Sequence, residues 1–354
     1  MGAAMSSRLA WSLTLALLAA GCTAHVHYPY RAAKDAGQDF DADSPVLEYD
    51  RQPISYHNNV LESDPARAYQ VRHIKMRSIG ENGQKDNKLE GLYHQSNQPG
   101  RRPLVIVLPI WGAKNYPPRK FASALRSRSG GEVHVLRVLG EDYVFDWEAL
   151  GAARTEEEFL ALMERMLLRD AVNAVDVSRL IDWAETRPEV DPARIGMIAF
   201  SHSALVGGSV AVNETRFQAM VLIMGGAYVH KILATCAGRI GVLRETITAR
   251  FGWTAQDYER ALEPIFMRYD PTRFPGRADP GRILMIEAGN DECVPPASRE
   301  DLWKALGRPE LYSLKYKHKS SFLSMTPLGS FWMQRKVYEF LANKLEIEPA
   351  FSSN

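Results

Sequence analysis

The stretch that most constrains the fold is Arg194-Ile195-Gly196-Met197-Ile198-Ala199-Phe200-Ser201-His202-Ser203-Ala204-Leu205-Val206-Gly207-Gly208. Ile195 to Phe200 is a bounded apolar run of strand length. Ala204 to Val212 is apolar and small-sided, which suits a helix packed closely on a sheet. Ser201 stands between them, at the end of the strand. A tight strand-to-helix turn of this kind pushes a serine hydroxyl out above the sheet edge, the layout of a nucleophile elbow. The turn brings the flanking backbone so close that the positions two before and two after the serine must be small. Here they are Ala199 and Ser203, where the commonest pattern has two glycines. The five residues alone suit equally a serine that only caps a buried helix. Taking Ser203 as the nucleophile would put Leu205 in the cramped position, so Ser201 is preferred.

A chain of 354 residues, 45% hydrophobic, is long enough to bury a sizeable core. Its 43 basic and 42 acidic residues nearly cancel, and no basic stripe offers a grip on nucleic acid. Residues 1–22 read as a signal peptide. Arg8 supplies the positive start, and Leu9 to Ala20 is an apolar run too short to span a bilayer as a helix. Leu18-Ala19-Ala20-Gly21-Cys22 resembles a bacterial lipoprotein signal, in which the cysteine is lipidated and becomes the new N-terminus. With Thr23 rather than aspartate next, the expected location is the cell envelope, at the outer membrane in a Gram-negative host. Residues 23–66 are polar and broken by Pro29, Pro45 and Pro53, and read as a tether. The folded domain is expected over 67–346, followed by a tail at 347–354.

Within that domain, Tyr69 to Met76 and Lys88 to Tyr93 read as strands around the turn Glu81-Asn82-Gly83. Leu104 to Leu108 is continuously apolar, as in a strand buried on both faces. Phe121 to Arg126 is a helix candidate and Val133 to Val138 a further strand. Thr155-Glu156-Glu157-Glu158 is a capping box opening a helix, and helical spacing continues to Pro188. After the turn at Ser201 come strands at Ala219 to Ile223, Ile283 to Ile286 and Leu311 to Tyr316, then an amphipathic helix from Met333 to Leu345. Such alternation predicts an α/β fold: a mainly parallel twisted sheet with helices on both faces. Residues 228–281 show helical patches and no strand, and are expected to form a helical cap.

A serine hydroxyl needs a base, and the base needs a carboxylate to fix its tautomer. Asp291 follows the strand Ile283 to Ile286, and His318 follows the last strand. Both lie on strand-end loops, where an open α/β sheet puts its ligand crevice. Glu287 and Glu292 are second choices for the acid. The order Ser201, Asp291, His318 matches α/β-hydrolases. Pro188 to Gly196 resembles the approach to the serine in dienelactone hydrolase and acetyl xylan esterase-like enzymes. Gly289-Asn290-Asp291-Glu292-Cys293-Val294-Pro295 is similar to that family's acid loop. The resemblance covers roughly residues 100–345. It implies Ser201 as nucleophile, Asp291 as acid and His318 as base, acting on small ester substrates without a cofactor. Lys317 stands where a glycine is often found before the histidine. The oxyanion hole needs two backbone N–H groups. His202 is expected to give one and Trp111 the other, with Ile110 as the alternative, although Pro109-Ile110 replaces the family's His-Gly.

No His, Asp or Glu cluster has metal-ligand spacing, and no phosphate loop follows a strand. Cys236 and Cys293 are expected to be free thiols, and His230 a surface residue. A peptidase or thioesterase with the same triad, or an inactive hydrolase fold that binds a ligand at the envelope, are the rival readings. Oligomeric state is not legible in the sequence.

Overall fold

The computed structural model describes residues 26–30, 47, 49, 51, 56–64, 66–77, 88–110, 116–140, 145–318 and 330–348. The leader with Cys22, the turn Glu81-Asn82-Gly83, Trp111 and residues 349–354 lie outside them.

The first strands are β1 (Val26–Tyr28), β2 (Tyr56–Glu62), β3 (Tyr69–Arg77), β4 (Lys88–Ser96) and β5 (Arg102–Val107). Then come α1 (Tyr116–Ser129), β6 (His134–Val138), α2 (Trp147–Ala152), α3 (Glu156–Glu185), β7 (Val190–Phe200) and α4 (His202–Asn213). β8 (Ala219–Ile223) is followed by α5 (Val229–Thr235), α6 (Arg239–Phe251) and α7 (Ala255–Phe266). The chain ends with β9 (Ile283–Ala288), α8 (Pro296–Ala305), β10 (Glu310–Leu314) and α9 (Ser330–Leu345).

The strands form one sheet in the order β1-β10-β9-β8-β7-β5-β6-β4-β3-β2. From β10 through β6 every pairing is parallel. β4, β3 and β2 join antiparallel at one side and β1 at the other. Strand period decides the two faces. Leu104, Ile106, Ile195, Met197, Met220 and Leu222 pack with α4 and the second half of α3. Val105, Val107, Ile198, Phe200, Val221 and Ile223 pack with α1 and α9 on the other face. The helix α4 lies very close to the sheet: a Cβ on Gly207 would stand 2.7 Å from a Leu222 methyl. That approach explains the run of small residues after Ser201.

The sheet takes in residues ahead of position 67. β1 and β2, its two edges, come from the segment expected to be a tether, and Leu47 and Tyr49 pack on the core. At the far end Ile347 joins the core of the α9 face, inside the stretch expected to be a tail. Between Thr155 and Pro188 runs one helix of 30 residues, α3. Thr155 caps it by accepting the Glu158 N–H. Its second half lies on the sheet, and its first half joins α2, α5, α6 and α7 in a separate apolar cluster around Phe159, Met163, Ile247 and Tyr258.

Candidate active site

The parallel strand β5 has β6 on one side and β7 on the other. The chain therefore winds in opposite senses from β5, and a crevice opens at the carboxyl ends of β5 and β7. Ser201 stands there, directly after β7. Its backbone has φ 50° and ψ −115°, a conformation that L-residues rarely adopt and that costs about 1–3 kcal/mol where it persists. Hydrogen bonds hold it: the Ser201 N–H donates to Ile223 O at 2.8 Å, and its carbonyl accepts from Ala204 and Leu205. Ser203 is buried and turned away from the crevice, its hydroxyl accepting the Phe200 N–H at 2.8 Å and donating to the Phe200 carbonyl at 3.1 Å. The register alternative at Ser203 is thereby disfavoured.

Three strand ends bring the expected residues together. Ser201 Oγ lies 3.0 Å from His318 Nε2, and His318 Nδ1 lies 2.6 Å from Asp291 Oδ2. The other carboxylate oxygen accepts the N–H groups of Cys293 at 2.8 Å and Val294 at 2.9 Å. The Asp291 side chain is fully buried, which alone raises its pKa. The hydrogen bond and charge of His318 and the two N–H donors outweigh burial and hold the carboxyl below the ordinary range. Neither rival acid is available. Glu287 pairs with the buried Arg299 and accepts the Ser313 hydroxyl, and Glu292 is exposed.

The acid loop is tied to the strand that carries the histidine. The Gly289 N–H donates to Leu314 O at 2.6 Å and the Asn290 N–H to Tyr316 O at 3.1 Å. A Cβ on Gly289 would lie 3.0 Å from Leu314 O, so only glycine leaves room for the approach. Arg299, on α8, donates to the carbonyls of Ala288 and Gly289 from beneath. Nothing in the sequence marked this arginine.

His202 is the first residue of α4, and its N–H has no carbonyl one turn earlier to bond. It lies at the positive end of the helix, beside Ser201. The His202 ring reaches sideways to Asp170 on α3, with Nε2 3.1 Å from Oδ2. Burial lowers its pKa, but the Asp170 charge and hydrogen bond outweigh it and raise the pKa above the ordinary imidazole value. Sequence reasoning missed Asp170, which carries no local signal. The expected second donor, Trp111, lies outside the described residues. The alternative, Ile110, packs against the α9 face of the sheet.

Two expectations are corrected. Cys236 and Cys293 are bonded as a disulfide, not free. Both sit where α5 and the acid loop meet, a proximity no sequence spacing reveals. His230 is not at the surface: it is 1% exposed, its ring edge-on to Tyr228. Among the described residues no group of three His, Cys, Asp or Glu is arranged to hold a metal ion, and no helix is long and apolar enough to cross a membrane.

No protein-family model and no curated protein matches the chain. Solved structures do. An acetyl xylan esterase from Paenibacillus sp. R4 superposes with a TM-score of 0.59 at 16% identity, over 83% of this chain and 90% of that one. A cold-adapted esterase from an Arctic intertidal metagenomic library, in its PEG-bound complex, gives a TM-score of 0.50 at 17% identity, over 82% and 99%. Acetyl xylan esterase 1 from Thermoanaerobacterium sp. JW/SL YS485 gives 0.50 at 16%, over 82% and 89%. At such identities the likeness is one of fold, and the fold of this chain is that of the α/β-hydrolases.

Proposed function

We propose that this chain is a serine hydrolase that cleaves carboxylic esters through an acyl-enzyme, held at the cell envelope by a lipid on Cys22. The observation that carries the reading is the unbroken relay from Ser201 Oγ through His318 to Asp291, at 3.0 and 2.6 Å. Ser201 Oγ attacks the acyl carbonyl as His318 Nε2 takes its proton. Asp291 holds the proton on Nδ1 and stabilises the imidazolium that forms. Charge developing on the carbonyl oxygen is met by the His202 N–H and, from the loop after β5, by that of Trp111. His318 then protonates the departing alcohol. A water molecule, deprotonated by the same nitrogen, attacks the acyl-enzyme and releases the acid.

Esterase chemistry is favoured by the neighbours of like fold, all three of which are esterases by name. The envelope is supported by the leader in residues 1–22 and by the Cys236–Cys293 disulfide, since such bonds persist in oxidising compartments. The test is hydrolysis of p-nitrophenyl esters across acyl lengths by the chain from Thr23 onward, beside Ser201→Ala. Activity should fall by about 10⁴-fold or more in the variant, and a fluorophosphonate probe should label only the wild type. Equal hydrolysis by both proteins would sink the reading. Palmitate incorporation into the full-length chain, absent in Cys22→Ala, tests the anchor.

A further inference from the structure

The disulfide joins two elements with different tasks. Cys236 directly follows α5, and the cap fixes its backbone: its N–H donates to Ile232 O at 2.8 Å, and its carbonyl accepts Arg244 from α6 at 3.1 Å. Cys293 belongs to the acid loop. Its N–H is one of the two donors on Asp291 Oδ1, the other being that of its neighbour Val294. Val294 is buried in the cap cluster and seated on Gly226, where a Cβ would stand 2.5 Å from its methyl. The carboxylate is thus held by donors whose loop is covalently fastened to the cap, two residues from the atom that faces His318.

We infer that the Cys236–Cys293 disulfide positions the Asp291 carboxylate on His318, so that hydrolysis depends on the bridge being oxidised. The inference rests on the serine-hydrolase reading above. With the bridge intact, Oδ1 is held by two N–H groups and Oδ2 is left for His318 Nδ1. With it open, the loop keeps its bonds to β10 at Gly289 and Asn290 and the packing of Val294, but loses the covalent tie that fixes Cys293. The donors on Oδ1 then move, and the carboxylate rotates off the imidazole. A misplacement of about 1 Å at such a site costs about 10²-fold in rate. Opening the bridge takes two electrons and two protons, which a dithiol reductant supplies while closing to its own cyclic disulfide.

The experiment compares oxidised enzyme, enzyme reduced with dithiothreitol to two titratable thiols, and Cys236→Ser, each checked for fold by circular dichroism. The expected result is a fall in kcat of about 10- to 100-fold in the reduced enzyme and in Cys236→Ser, with KM for a short acyl ester within about twofold. The Cys293 and Val294 amides should exchange faster in deuterium. In an Asp291→Asn background, reduction should change kcat no further, because the group being positioned is gone. An unchanged kcat after full reduction overturns the inference. So does a loss that tracks unfolding, or an equal loss in Asp291→Asn, since either makes the bridge a staple of the fold. Oxidised wild type that neither hydrolyses esters nor takes a fluorophosphonate label would instead bring down the hydrolase reading, and this inference with it.

Discussion

Ser201 carries backbone strain at the site, with φ 50°. Glycine adopts that conformation without a Cβ penalty. Ser201→Gly and Ser201→Ala both lose the hydroxyl, and both should be inactive. They should differ in stability, the glycine variant unfolding with a free energy about 1 kcal/mol higher than the alanine one, as read from urea titrations. Equal stabilities would mean the turn is unstrained. Asp291 gives a second prediction. In Asp291→Asn the amide oxygen stays with the Cys293 and Val294 N–H groups, which turns the NH₂ toward His318 Nδ1. His318 must then carry its proton on Nε2, facing Ser201, and is no longer a base. A loss of about 10⁴-fold in kcat is expected with the unfolding midpoint little changed. What the sequence revealed at this scale was steric: small residues at 199 and 203 around the serine. The hydroxyl of Ser203 was not legible as a partner for Phe200, since serine and glycine satisfy the same space requirement.

Among elements, those buried on both faces were readable, because β5, β7, β8 and β9 are apolar runs with no competing explanation. The edges were not. β2 is exposed along almost its whole length, so it carries no alternation of burial, and its polar residues passed for a tether. β1 has three residues, and its partner β10 lies near the other end of the chain. It is held by backbone pairing and by His27 stacked on Tyr312 at 4.2 Å, neither of which leaves a pattern. Yet β1 covers the open edge of β10, the strand that leads into His318. Removing residues through Tyr30 should leave that edge bare. Compared with the chain from Thr23, the shorter one should melt about 2–4 °C lower for each kcal/mol lost and run partly as aggregate in gel filtration. A shorter chain with the same melting temperature and a clean monomer peak would show that β1 is dispensable.

At the scale of the whole molecule, sequence order indicated the sheet and its helices, while the meeting of distant parts stayed hidden: the long α3 shared between the sheet and the cluster of α2, α5, α6 and α7, the disulfide, and the buried histidines. Burial lowers the pKa of three of these histidines, His94, His134 and His230, and together they shape the response to acid. His134, in β6, accepts the Ser96 N–H at Nδ1 and bonds Glu189 O through Nε2, an arrangement that needs a neutral ring. Beside it in β4, His94 is 8% exposed. Burial, with the positive charges of Arg126 and Arg137, pushes its pKa from the ordinary 6.5 down to about 3. In the unfolded chain His94 takes up its proton below about pH 6.5, whereas the folded chain refuses it until about pH 3. The unfolded state therefore binds more protons throughout that window, and stability falls as pH drops through it. The depressed Asp291 adds to the loss only lower down, below about pH 4, where unfolded carboxylates protonate. The unfolding free energy should accordingly rise slightly as pH falls from 8 to 7, where folded His202 holds a proton that the unfolded ring gives up, and decline between pH 6 and 4, with each refused proton adding a slope of up to about 1.4 kcal/mol per pH unit. His94→Gln should remove about one proton's share of that slope and leave the profile above pH 7 unchanged. Ester hydrolysis measured in the same buffers separates the causes: acid loss that His94→Gln reduces is unfolding, and acid loss common to both proteins belongs to the relay at Ser201. An identical slope in His94→Gln would show that His94 takes its proton in the folded state and is not the group that makes the fold acid-sensitive.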